Sequence, residues 1–115
     1  MEIGIELSES ADIRVLVEKG SELSLERNGN VIRLVYNKEN ELFRAITMLP
    51  RVSENCSVRQ KAKYEMLCYM VDNSRNAVLN IPSAKEMIRY LAMLGFDSMM
   101  LYTEDNHLLS TAHQP

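Results

Sequence analysis

The sequence predicts an α+β chain in two parts: a small sheet with one covering helix, then a single strand–helix–strand unit. Three observations carry this. Asn28-Gly29 sits between two alternating apolar runs, Leu42, Ile46 and Leu49 fall on one helical stripe, and two apolar segments, 64–71 and 98–102, flank a second amphipathic helix. The parts differ in composition as well, since six of the eight methionines follow residue 63.

Taken in order, Ile13–Val17 reads as a first strand, with a further one possible at Ile3–Leu7. Asn28-Gly29 signals a type I′ hairpin, because both residues tolerate positive φ. A turn there pairs Arg27 with Asn30, Leu25 with Ile32 and Leu23 with Leu34. One face is then apolar, while Glu26, Ser24 and Arg33 make the other mostly polar. Asn37 is placed to cap a helix starting near Lys38, whose stripe at i, i+4, i+7 covers the apolar face. Pro50 ends it. This first part spans 1–55, and the polar, aperiodic stretch 56–63 reads as a linker.

The second part, 64–105, has a different grammar. Tyr64–Val71 is nearly continuous in apolar residues, the pattern of a strand buried on both faces. Ser83 with Glu86 forms a capping-box pattern, Met87, Ile88, Leu91 and Leu94 make an inward stripe, and Gly95 suits the helix end. Ser98–Tyr102 follows as a second buried strand, completing a βαβ unit with parallel strands. One helix cannot cover both faces of two such strands. The unit therefore calls for a larger sheet or barrel, or for a partner chain. Residues 106–115 read as a tail, in which His107 and His113 lack the setting of a metal site.

Composition narrows the functional classes. The chain has 115 residues and a formal net charge of -3, with no run of either sign, which gives no footprint for nucleic acid or an anionic membrane. No apolar run approaches the ~20 residues of a membrane span. The start lacks a basic n-region and an apolar h-region, so a cytoplasmic location is expected. Cys56 and Cys68 read as free thiols, no metal-ligand spacing occurs, and no cofactor is expected.

Two motifs carry a resemblance: Met70-Val71-Asp72-Asn73-Ser74-Arg75-Asn76-Ala77-Val78 and Leu101-Tyr102-Thr103-Glu104-Asp105, joined by Met87–Asp97. In that order and spacing they resemble the first strand, first helix and second strand of the (β/α)₈ barrel of family 20 glycoside hydrolases. The likeness is strongest to bacterial exo-acting N-acetylglucosaminidases and glucosaminidases. Leu42-Phe43-Arg44-Ala45 resembles part of the helix closing the small domain that precedes that barrel. The resemblance covers about residues 20–105. It implies a small α+β N-terminal domain followed by the first β-α-β unit of an incomplete (β/α)₈ barrel.

The resemblance also implies roles. Arg75 matches an arginine that hydrogen-bonds the hydroxyls of the non-reducing terminal sugar, a task suited to the planar donor fork of a guanidinium. Asp72 either positions Arg75, contacts sugar, or accepts N–H bonds within its own loop. Asp105 would either line the pocket or simply end the second strand. Glu104 and Asp105 cannot serve as an acid–base pair, because consecutive strand residues point to opposite faces. The family's catalytic Asp-Glu pair lies further along the barrel, so none of the catalytic residues is in this chain. The implied parent removes a terminal β-linked N-acetylhexosamine or glucosamine, with the substrate's acetamido group as nucleophile. The competing expectation is a non-enzymatic α+β module that self-associates. On either view the apolar strands of 64–105 must be hidden, by folding against the first sheet or by association, and the expectation is a homo-oligomer through 64–105, most simply a two-fold dimer.

Overall fold

The computed structural model describes residues 5–74 and 78–103. They form a small α+β fold with a four-stranded mixed sheet, a two-stranded parallel sheet and two helices.

In the first sheet, β1 (Arg14–Lys19), β2 (Leu23–Asn28) and β3 (Val31–Tyr36) are joined by β4 (Ser57–Gln60) in the order β1-β3-β2-β4. β1 runs parallel to β3, and β2 is antiparallel to both β3 and β4. The hairpin turn lies one residue later than Asn28-Gly29 predicts. Asn28 pairs with Val31, so Gly29 and Asn30 form the turn, and Leu25 faces Leu34 rather than Ile32. Gly29 has φ 57°, whereas Asn30 is not in the positive-φ region. Positive φ at the first central position alone is the type II′ requirement, which glycine meets without strain. Each cross-strand partner moves by two residues, so Leu23, Leu25, Ile32 and Leu34 still share the buried face.

β4 lies inside the stretch read as a linker. Val58 pairs with Leu25 and packs on the core, and the Arg27 N–H donates to the Cys56 carbonyl at 2.9 Å. Residues 5–7 are not in a strand; the start of the proposed Ile3–Leu7 element lies outside the described residues.

Helix α1 (Glu39–Met48) covers β2 and β3, and a 3₁₀ turn at Leu49–Arg51 follows it. Its start is held by Glu41 rather than by the Asn37 side chain. The Glu41 carboxylate accepts from the backbone N–H of Asn37 at 2.7 Å and of Lys38 at 3.2 Å. This is the glutamate half of a capping box, and it explains how an acidic side chain can be buried here. Leu23, Leu25, Ile32, Leu34, Ala45 and Val52 make the core, with Leu42, Met48 and Leu49 packed on its margin. The Arg27 guanidinium ties the hairpin end to the helix exit, donating to the carbonyls of Gly29 and Val52 at 3.0 Å each.

β5 (Cys68–Asp72) and β6 (Ser98–Tyr102) pair in parallel, as their apolar runs predict, with α2 (Ile81–Leu94) between them in sequence. β5 starts four residues after Tyr64. The register sets Cys68 opposite Ser98, and the residues before Ser98 are occupied by the helix end and its turn. Tyr64–Leu67 thus has no ladder to join. Likewise α2 begins before Ser83: Asn80 is its cap, its side-chain oxygen accepting from the Ser83 N–H at 2.8 Å. At the other end Gly95 has φ 87°, and the N–H groups of Gly95 and Phe96 donate to Ala92 and Leu91 carbonyls. These are the two hydrogen bonds of a Schellman end, with glycine where a Cβ would be strained.

The second unit is thinly packed. Leu91 is its one buried hydrophobic side chain among the described residues. Tyr69 meets Phe96 edge to face, ring centroids 6.0 Å apart. A polar seam joins this unit to α1: the Asn40 amide donates to the Gly95 carbonyl at 2.8 Å. Leu67 and Asp97 exchange two bonds, N–H to carboxylate at 2.7 Å and N–H to carbonyl at 2.9 Å. The Lys38 ammonium donates to the Glu65 carbonyl across the same seam.

Candidate functional site

Because β5 and β6 are parallel, their C-terminal ends emerge together, with Asp72 paired to Tyr102. The Asn73 N–H donates to the Tyr102 carbonyl at 2.8 Å, extending the ladder one residue beyond β5. Chain ends of parallel strands collect loops and so collect side chains of different segments.

Asp72 shapes the loop that leaves β5. Its Oδ1 accepts from the Ser74 N–H at 2.8 Å and from the Ser74 hydroxyl. This is an Asx turn, in which an aspartate holds the backbone two residues on. At the far end of the loop the Asn73 side-chain oxygen accepts from the Leu79 N–H at 3.4 Å, and Asn80 then caps α2. Asp72, Asn73 and Asn80 therefore hold the bend between strand and helix at both ends. Arg75 belongs to that same loop but lies outside the described residues, and so do Glu104 and Asp105 after β6. The structure thus places Asp72 at the strand end and gives it a loop-holding contact.

Asn73 and Asn80 were not singled out as loop-holding residues from sequence. The signal for Asn80 was present, since Asn-Ile-Pro-Ser puts an asparagine three residues before a serine and a proline in the first turn. Nothing comparable marked Asn73, whose contact depends on where the loop returns.

Chemically, the strand ends offer a carboxylate, carboxamide and hydroxyl groups, a set suited to hydrogen-bonding a polyhydroxyl ligand. Among the described residues no group of three His, Cys, Asp or Glu converges as a metal site. Cys56 and Cys68 are free and half-buried. The guanidinium of Arg33 is held more firmly protonated by its hydrogen bond and charge pairing with Glu18, but this pair lies on the first sheet. A groove of about 180 Å³ runs along the seam between α1 and the end of α2, with Lys38, Arg44, Lys61 and Lys63 on its walls. It lies with the polar contacts that join the two units. No described helix is long and apolar enough to cross a membrane.

No family model matches the chain, and no curated protein matches it.

Proposed function

We propose that this chain is the N-terminal portion of an exo-acting β-N-acetylhexosaminidase or glucosaminidase of glycoside hydrolase family 20. On this reading the first sheet with α1 is the small domain ahead of the catalytic barrel, and β5–α2–β6 opens a (β/α)₈ barrel. The supporting observation is the position of Asp72: the stretch resembling the family's first strand ends on a parallel strand, and the loop resembling its sugar-binding segment starts there.

Arg75 would then present its donor fork to the hydroxyls of the terminal sugar, with Asp72 fixing the loop that carries it. Asp105, after β6, would line the same pocket from the neighbouring strand end. The general acid glutamate, and the aspartate that orients the acetamido group, would come from later strands of the barrel, giving a substrate-assisted retaining hydrolysis. On this reading Asp72, Arg75 and Asp105 bind and position the sugar, and none of them transfers a proton.

A chromogenic β-N-acetylglucosaminide tests both halves of this reading. The 115-residue chain by itself should give no turnover above buffer. In a complete enzyme containing this sequence, Arg75→Ala should lower kcat/KM by about 30- to 900-fold, which is roughly 2–4 kcal/mol of transition-state binding. Near-normal kcat/KM in that variant, or hydrolysis by the short chain that survives repurification, refutes the assignment.

The alternative, a non-enzymatic α+β module, draws on the sparse packing of the second unit, where a single described hydrophobic side chain is buried.

A further inference from the structure

We propose that the groove between α1 and the end of α2 is a binding site for a phosphate group, free or carried on a small molecule. The site is built from residues at the seam of the two units and does not depend on the hydrolase reading.

The chain is acidic, with a net charge of -3, yet four of its thirteen basic side chains, Lys38, Arg44, Lys61 and Lys63, line this one groove. They come from separate segments. Lys38 caps α1 and Arg44 lies within it, whereas Lys61 and Lys63 belong to the stretch that leaves β4. Two carboxylates share the walls, and backbone N–H groups already engage each of them. Glu41 accepts from Asn37 and Lys38, and Asp97 accepts from Leu67. The lining thus carries an excess of two positive charges. A phosphate group, at about -1.5 to -2, matches that excess.

The four cations are not paired within the protein. Among the described residues the ion pairs are Arg33 with Glu18 and Arg59 with Glu22, and neither reaches the groove. The Lys38 ammonium uses one of its three N–H groups on the Glu65 carbonyl. The guanidinium of Arg44 has no acceptor among the described residues. Like charges gathered on one groove repel one another, and a bound dianion removes that repulsion.

Arg44 is set in place by the helix end. Gly95 has no side chain, and a Cβ there would lie 3.5, 3.7 and 3.9 Å from Cβ, Cγ and Cδ of Arg44. The arginine stem therefore packs on the bare side of Gly95, which fixes where the donor fork begins. Lys61 and Lys63 are exposed, on stems long enough to close over a ligand. Leu23, Leu67 and Leu94 complete the lining, and apolar walls focus the field of the charges beside them.

Size and place define the ligand further. At about 180 Å³ the groove falls below the roughly 300–1,000 Å³ of sites for drug-sized ligands. It suits one tetrahedral anion with a small attached group. An extended polyanion needs many phosphate contacts, which four cations on an acidic chain do not offer. Leu67 and Asp97 immediately precede β5 and β6, so the groove lies at the strand ends opposite Asp72 and Tyr102. The strand between is five residues long, about 16 Å at ~3.3 Å per residue. A phosphate bound here bridges α1 to the segment that leads into β5, away from the loops of the candidate site.

Titration of the 115-residue chain with inorganic phosphate, followed by amide NMR with ionic strength held constant by sodium chloride, tests this. Saturable shifts are expected in residues 38–44, 60–67 and 94–97, with a dissociation constant in the low millimolar range. Lys61→Gln combined with Lys63→Gln, both at exposed positions, should weaken binding by about 10-fold and leave the spectrum elsewhere unchanged. Arg59→Gln, at an exposed arginine on β4 that does not line the groove, should leave binding as it is. Glycerol phosphate separates the two sources. Tighter binding than inorganic phosphate assigns the group to a small molecule, and equal or weaker binding assigns free phosphate. Shifts that never saturate, or that spread over lysines and arginines all around the surface, overturn the proposal. So does binding untouched by the double lysine variant, or an equal loss on Arg59→Gln.

Discussion

Leu25→Ala should remove a large share of the chain's stability. Leu25 is 0% exposed and lies at the centre of the first sheet, paired to Leu34 on β3 and to Val58 on β4. The substitution deletes a buried isobutyl group between two strands, beneath a helix whose facing residue, Ala45, is already the smallest that could pack there. Neither neighbouring strand can close the gap without breaking ladder bonds, so little of the cavity relaxes. The range for such changes is about 2–5 kcal/mol, and the lack of relaxation places this one near 3–4. A unit of this size is expected to have on the order of 5 kcal/mol in total. With a urea slope of about 1–1.5 kcal/mol per molar, the midpoint should fall by roughly 2–4 M. Urea titration followed by circular dichroism measures it. A loss below about 1 kcal/mol would refute the view that the α1-covered sheet carries the stability, and would move the weight to the second unit.

Gly95→Ala should cost about 1–2 kcal/mol by thermal melting, because φ 87° strains any residue with a Cβ. The added methyl would meet Arg44 at an ordinary 3.5 Å, so the loss is one of backbone strain and not of overpacking. Glu41→Ala should cost about 1–2 kcal/mol by urea titration, since it strips the acceptor from two partly buried N–H groups at the start of α1. Glu41→Gln keeps an acceptor oxygen and should cost less; equal losses would show that the hydrogen bonds are not the cause.

The parts of the fold that were legible in sequence are those where periodicity outvotes local detail. Alternation at Leu23, Leu25, Ile32 and Leu34 fixed the buried face even though the turn was misplaced, because the actual register differs by two residues and keeps the side-chain parity. The turn itself could not be settled from Asn28-Gly29-Asn30, which offers asparagine on both sides of the glycine. β4 was illegible for another reason. Ser-Val-Arg-Gln carries one apolar residue, and it becomes a strand only because β2 has an open edge beside it. At α2 two cap patterns compete, and the earlier one prevails: Pro82 has no N–H to satisfy and fits the first turn, so the helix can begin at Ile81 behind Asn80. Of the candidate site, Asp72 was legible as a strand-end residue, and its bond to Ser74 is a local contact that the Asp-x-Ser spacing allows. Arg75 and Asp105 lie outside the described residues, so their roles stay with the resemblance.

The second unit shows why a good sequence pattern does not guarantee a well-filled core. Its strands are written for cover on both faces, since β5 and β6 alternate no polar face against an apolar one. A single helix can cover only one of those faces, and Met70 and Met100 on the other remain more than half exposed. Two bonds tie the unit to α1 and its cap, from Asn40 to the Gly95 carbonyl and from Lys38 to the Glu65 carbonyl, while Leu67 and Asp97 are bonded to each other within the unit. The two bonds from Asn40 and Lys38 contribute about 1 kcal/mol each and act only while α1 is formed. β5–α2–β6 therefore leans on α1 for part of its support, and its apolar face opposite α2 stays exposed among the described residues.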